Sequence, residues 1–259
     1  MTKYNERSGR SYGNVYLLGT LGYATDESFH GFKSYYAVAL FYKEPIALEI
    51  LFLWGLVWIW KHRNIKDFLF GEGLLLAAAG LLVFWLSFFD RAQIGIRHIL
   101  PALAIEIIVA GAAFSNFSSK SRTQKAFLSI LALWLAVSVA SYYPHLIPYM
   151  NEWVPDRRLS YQILADSNLD WGQDAAVVAE FMRKNPDVVL NPQRPLAGRI
   201  LVNANRLTGV DRWRPSYTYL LKRYRPVAQV GYGHFLFVVS AEDIASGHLE
   251  LDCPSAGSR

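Results

Sequence analysis

Four long apolar runs occupy residues 37–141, and after Tyr142 hydrophobic and polar positions alternate over shorter distances. The first run, AVALFYKEPIALEILFLWGLVWIW (37–60), is long enough at the α-helical rise to cross a bilayer core. Pro45 marks either a kink in it or the true start of its helix, because proline lacks the donor an interior turn needs. The basic stretch KHRNIKD (61–67) ends this run, and GEGLLLAAAGLLVFWLSFF (71–89) returns across the membrane. A short link, DRAQIG, leads to IRHILPALAIEIIVAGAAF (96–114), which is followed by SNFSSKSRTQK (115–125). The fourth run, AFLSILALWLAVSVAS (126–141), continues into Tyr142 and Tyr143, residues suited to an aromatic belt at the membrane interface.

The remainder predicts a mixed α/β domain. WGQDAAVVAEFMRKN (171–185) carries apolar residues at Ala176, Val177, Phe181 and Met182 and stops at Pro186, a helical pattern. GRILVNAN (198–205) and PVAQVGYGHFLFVVS (226–240) read as strands, the second as two arms around Gly231 and Gly233. SYTYLLKRY (216–224) and AEDIASGH (241–248) are short helices. The expected fold is therefore an α-helical membrane bundle of four spans followed by a small α/β extracytoplasmic domain. Its divisions are an external loop segment (1–36), four transmembrane helices (37–141) and a soluble α/β domain on the external side (142–259). Orientation rests on the loops at 61–67 and 116–125, which carry three Lys or Arg each and favour the cytoplasm. Lys33, Arg91, Arg97, Arg157 and Arg158 flank the spans on the opposite side, so the difference is a single charge.

Composition agrees with the membrane reading: 53% of residues are hydrophobic and 18% charged, and the apolar excess is confined to the spans. A net charge of +5 in a soluble protein would raise the question of nucleic acid, but here much of the basic charge lies in short loops between apolar runs. The N-terminus, MTKYNERSGR, is polar and shows no signal-peptide pattern. Cys253 is the single cysteine, which excludes an intrachain disulfide and a cysteine-cluster metal site.

The most distinctive polar string is DSNLDWGQD (166–174). Asp166, Asn168 and Asp170 alternate as at the start of an EF-hand loop, but glycine comes one place late, at Gly172, and the twelfth position is Val177 instead of a bidentate glutamate. No metal is expected. A helix start accounts for more: Asp170 as N-cap, Gln173 three residues on as a capping box, and Asp174 near the positive helix end. That leaves Asp166, Asn168 and Trp171 for an anchoring or ligand role. Lys43 and Glu44 precede Pro45, and Arg97 and His98 precede Pro101, and four crossings put both pairs at one membrane face. Lys43, Arg97 and His98 are candidates for holding a lipid phosphate through charge-assisted hydrogen bonds, against the plainer reading that the long basic side chains snorkel to the headgroups. Glu49 and Glu106 lie deeper in the spans, where a partner or protonation is expected. His145, between Pro144 and Pro148, belongs to a rigid exit from the fourth span. No nucleophile–base order, glycine-rich phosphate loop or His/Cys ligand cluster stands out.

YLLG (16–19), GFKSYYAVALFYKEP (31–45), RHILPALA (97–104), YYPHLIPYMNE (142–152) and DSNLDWGQD together resemble, in order and spacing, the C-terminal half of bacterial GT-C membrane glycosyltransferases related to protein mannosyltransferases and aminoarabinose transferase. The resemblance implies an inner-membrane, multi-pass enzyme that takes a sugar from a polyprenyl-phosphate carrier, its soluble domain on the periplasmic side. It implies no cofactor and partners of two kinds: membrane lipid with the polyprenyl-phosphate carrier, and a missing N-terminal half or companion membrane subunit. In that family the catalytic acid sits in the first external loop, to which nothing here corresponds, Asp26 and Glu27 falling in the later loop. No catalytic residue is expected in this chain. The alternative is a non-catalytic membrane-anchored binding or scaffold subunit.

Overall fold

Pro45 splits the first apolar run in two. In the computed structural model α1 (Tyr35–Lys43) ends just before it, and α2 (Ile46–His62) begins after it with Pro45 as the N-cap residue. The structure describes residues 13–23, 26–211 and 217–245. Ser216, the end of the AEDIASGH helix and Cys253 lie outside the described residues.

The chain divides into a helical unit, Lys33–Asp90 with Ile96–Pro155, and an α/β unit, Met1–Phe32 with Arg91–Gly95 and Asp156–Arg259. These units cut the chain differently from the expected segments in two places. Residues 142–155 go with the helices, and the N-terminal segment shares a unit with the α/β domain.

In the helical unit α2 is followed by α3 (Ile65–Phe70), α4 (Glu72–Phe88), α5 (Leu100–Gly111) and α6 (Arg122–Ala140). Asn64 caps α3 by accepting from the Asp67 amide at 2.9 Å. Ser121 and Gln124 form a capping box that starts α6, their reciprocal bonds measuring 3.3 and 3.1 Å. Ala47, Leu48 and Leu51 of α2 bury against Ala110, Ala113, Leu128 and Leu131. Small residues set the approach: a Cβ at Gly55 would stand 2.0 Å from the Val109 carbonyl oxygen.

By length and composition two helical stretches suffice to cross a membrane, Ile96–Phe114 and Arg122–Ala140, each of 19 residues. Glu72–Phe88 is apolar but shorter, and α2 carries Glu49, Lys61 and His62 within its 17 residues. The expected four spans are not shown: two stretches have the length and composition, whereas the helix after Pro45 and the helix after Gly71 each stop at 17 residues. Both crossing-length stretches lie mostly open, with 22% and 11% of their apolar windows buried. Leu53, Trp60, Leu81, Trp85, Leu133 and Val137 all point outward.

The α/β unit is built on a sheet of order β3-β4-β6-β5, from β3 (Val189–Leu190), β4 (Gly198–Asn203), β5 (Ala228–Val230) and β6 (His234–Val239). β3 runs parallel to β4, and the other pairs are antiparallel. Ile200, Leu201 and Val202 are all fully buried, so both faces of the sheet are covered and β4 reads as a continuous apolar run. On one face Leu201 and its partner Leu236 pack with Val230 under Val178 of α7 (Ala175–Lys184). On the other, Val202 pairs with Phe235, whose ring meets that of Tyr161 edge-on at 4.9 Å. Short helices α8 (Ala204–Thr208), α9 (Thr218–Arg223) and α10 (Ala241–Ala245) complete the order. A hairpin of β1 (Val15–Leu17) and β2 (Thr20–Gly22) turns at Leu18 and Gly19, both at positive φ, the backbone of a two-residue type I′ turn. It attaches through a Leu17–Leu164 bridge and through the Asn14 amide to the Val210 carbonyl at 3.1 Å.

Candidate functional site

DSNLDWGQD does not begin the helix where the pattern predicts. α7 starts at Ala175 with Asp174 as its N-cap residue, and no side chain caps it there. The correction has a local cause. The Asp170 carboxylate is used otherwise, accepting from the Gly172 amide at 3.0 Å and from Asn203 Nδ2. Gln173 accepts from the Trp171 amide and donates to the Leu169 carbonyl, closing the turn that precedes α7.

The string is held by two loops at the ends of β4 and β6. Asn205 accepts from the Asp166 amide at 2.8 Å, and Asp166 itself sits at φ 58°. Asn203 accepts from the Asn205 amide, donates its own amide N–H to Asn191 Oδ1 and faces its cross-strand partner His234, with Nδ2 3.3 Å from His234 Nε2. Asp174 is fully buried and accepts from the Gly233 amide at 3.0 Å. Gly231 and Gly233 are glycines for a steric reason: a Cβ at either would come within 2.8 Å of the Asp174 side chain. Ser167 donates to the Ile94 carbonyl, and Gly95, at φ 127°, has no room for a Cβ beside the Ser167 hydroxyl.

Burial pushes the His234 imidazole below its ordinary value, and the Asp170 carboxylate opposes the shift without cancelling it. A neutral ring suits the contact with Asn203, whose amide donates while Nε2 accepts. Asp166, Asn168 and Asp170 do not converge as ligands: Asn168 is buried and donates to the Ala165 carbonyl at 3.1 Å. Among the described residues no group of three acidic, His or Cys side chains is gathered for a metal. Trp171 is 66% exposed. The arrangement fixes backbone and side-chain donors onto carboxylates.

In the helical unit Tyr36, Ala39 and Lys43 form the buried stripe of α1. Tyr36 Oη lies 3.4 Å from His98 Nδ1, and Asp90 is 4.0 Å from the same nitrogen. Lys43 is only 7% exposed and its ammonium donates to the Ile147 carbonyl at 2.8 Å. Seven residues separate Tyr36 from Lys43, so Lys43 lies about 10 Å along the axis from the His98 contact. Lys43 therefore fastens the 142–155 segment to α1, and Arg97 and His98 are half-buried. Asn151 reinforces the joint by donating from Nδ2 to the Phe41 and Glu44 carbonyls at 2.6 and 2.8 Å, and from its amide to the Tyr42 carbonyl. These are carbonyls that a helix C-terminus leaves without intrahelical partners. Glu152 accepts from Trp134 Nε1 at 2.8 Å; burial would raise its carboxyl, but this bond and one from Ser138 hold it below the usual range.

Sequence reading missed Asn151, Asn203, Asn205 and His234. The signal available was weak: polar residues interrupting otherwise apolar segments, as in LVNAN and GYGHF. Compared with family models, curated proteins and solved structures, the chain matches none.

Proposed function

We propose that the chain is the carrier-lipid part of an integral-membrane glycosyltransferase that uses a polyprenyl-phosphate-linked sugar. The catalytic carboxylate is contributed by a separate membrane segment, the bilayer is the bacterial inner membrane, and the α/β unit stands on its external side. The observation that carries this reading is the pairing of the motif strings. GFKSYYAVALFYKEP, RHILPALA and YYPHLIPYMNE meet through Tyr36–His98, Lys43–Ile147 and Asn151–Glu44, over sequence separations of 62, 104 and 107 residues. Within the α/β unit YLLG bonds to the residues just before DSNLDWGQD, at Leu17–Leu164 and Leu18–Ile163. Strings that resemble one family in order and spacing thus serve as one another's packing partners, which chance likenesses have no reason to do. The outward apolar side chains of the helices support insertion, because a soluble unit would bury them.

The test uses the full chain reconstituted in lipid nanodiscs. Polyprenyl phosphate should bind, and Arg97→Ala should weaken it about tenfold, the loss of one charge-assisted phosphate contact of roughly 1.5 kcal/mol. In cells, cysteine introduced at Gln193 should label from outside, and cysteine at Ser119 should not. Labelling at Ser119 alone, or membrane-bound protein indifferent to the carrier, would replace this reading with that of a scaffold subunit.

A further inference from the structure

We propose a second lipid site in the helical unit, for an anionic phospholipid of the surrounding bilayer, at the end where α2 finishes and α6 begins. The inference rests on the membrane reading above. A cavity of about 680 Å³ opens there. Its volume is that of a small-molecule site, enough for a phosphate headgroup, glycerol and the first carbons of an acyl chain.

The lining divides by chemistry along α2. Leu53, Trp54, Val57 and Trp58 supply two apolar ridges one turn apart, and Leu53 and Val57 are 60% and 53% exposed. Lys61 follows Val57 by one turn, about 6 Å further along the axis. Across from α2 the wall is polar, from Asn116, Ser119 and Lys120 of the loop that enters α6. No acidic residue lines the cavity, and among the described residues Lys61 and Lys120 take part in no ion pair, whereas neighbouring Arg63 is committed to Glu72. The adjacent N-terminus of α6, organised by the Ser121–Gln124 capping box, adds positive potential of the same sign.

His62 also lines the site. Its ring stacks on Trp58 at 4.7 Å, with Nδ1 2.9 Å from the Trp58 carbonyl oxygen, which fixes the imidazole and leaves Nε2 on its other edge.

An amphipathic slot with two uncompensated cations at one end and exposed leucine and valine at the other matches one ligand chemistry, a phosphate monoanion attached to a hydrocarbon chain. A free phosphate ion would leave the apolar ridges wet. The carrier headgroup belongs, on the reading above, near Arg97 and His98, which precede α5, whereas the Asn116, Ser119 and Lys120 wall of this cavity follows it. Lys61, in the last turn of α2, and Lys120 both fall in the segments 61–67 and 116–125, whose positive charge favours the anionic cytoplasmic leaflet. The bilayer's own acidic phospholipid is therefore the occupant.

Native mass spectrometry of the purified full chain, titrated with phosphatidylglycerol or with phosphatidylcholine of the same acyl chains, tests this. Phosphatidylglycerol should fill one saturable site and phosphatidylcholine none. Lys61→Gln and Lys120→Gln should each weaken binding about fivefold and the pair about 25-fold. Val57→Trp, which fills the apolar end with charge unchanged, should weaken it too, and Lys66→Gln, outside the lining, should not. Unfolding temperatures in lipid-free detergent identify any variant that has lost its fold, and quenching of wild-type tryptophan fluorescence by dibrominated phosphatidylglycerol provides a readout without mutation. Equal weakening by Lys66→Gln would reduce the site to diffuse surface charge, and displacement of the lipid by inorganic phosphate would make it a simple anion site. Displacement by polyprenyl phosphate with the same lysine dependence would assign it to the carrier. Each of these overturns the proposal. Carbonate washing separates the two levels: a chain stripped from membranes by it refutes the membrane reading, and a retained chain whose lipid affinity ignores all these substitutions refutes this site alone.

Discussion

Replacing Gly231 by alanine tests whether the loop between β5 and β6 is closed on Asp174. Gly231 sits at φ 61°, and a Cβ there would lie 2.4 Å from Asp174 Cγ and 2.7 Å from its Cβ. Gly172, at φ 84°, supplies the control, because a Cβ added to it meets nothing within 4 Å. Both substitutions carry the left-handed backbone penalty, about 1 to 2 kcal/mol. Only Gly231→Ala must also move a buried carboxylate, which breaks its bond from the Gly233 amide at 3.0 Å. A hydrogen bond to a charged acceptor contributes about 1.5 to 3 kcal/mol, and the stranded amide adds to the loss. Gly172→Ala should therefore cost about 1 to 2 kcal/mol and Gly231→Ala about 2.5 to 5 kcal/mol. The assay is thermal and denaturant unfolding of the purified full chain, with hydrogen exchange at the Gly233 and Ala204 amides to assign the loss to this loop. The double variant Gly231→Ala/Asp174→Gly closes the cycle: with the carboxylate and its Cβ both gone, alanine at 231 should cost no more than it does at 172. Equal destabilisation by the two single substitutions would refute the clamp.

Asn151→Ala removes two side-chain bonds from the C-terminus of α1 and should cost about 2 to 3 kcal/mol, read as faster hydrogen exchange in Tyr35–Lys43. Gly55→Ala should lower the detergent unfolding temperature, since its Cβ would force α2 and α5 apart by about 1 Å at an overpacking cost of about 1 to 3 kcal/mol. Gly80→Ala, with nothing within 4 Å, should be neutral or stabilising, so similar behaviour of the two would contradict the close crossing. His234 has its pKa depressed by burial, so the unfolded state binds the proton more readily. The stability it contributes is complete above the unfolded value near 6.5 and declines as pH falls through that value toward the depressed one. His234→Gln should flatten the stability of the α/β unit between pH 7.5 and 5.5, and an unchanged slope would place the titration elsewhere.

Hydropathy alone located the apolar stretches, because a run of side chains that no polar partner could satisfy has few places to go. A break at Pro45, the strands through Ile200–Val202 and His234–Val239, and the helix ending before Pro186 were equally legible, since each follows from local backbone chemistry and a two- or 3.6-residue period, but whether Pro45 kinks or starts a helix was not. Which runs are long enough as continuous helix to cross a membrane was not legible: a 19-residue window does not see where a cap or a proline interrupts it. Asp170 shows the deeper limit. Its spacing to Gln173 fits a helix cap, yet Asn203, 33 residues away, and the Gly172 amide take its carboxylate, and the helix begins later. Lys43 likewise has a partner that its local sequence does not show, the carbonyl of Ile147, 104 residues on. A charged side chain's role is set by whatever the fold brings within 3 Å of it. The sequence specifies which groups need partners, and only the tertiary structure decides which partners they get.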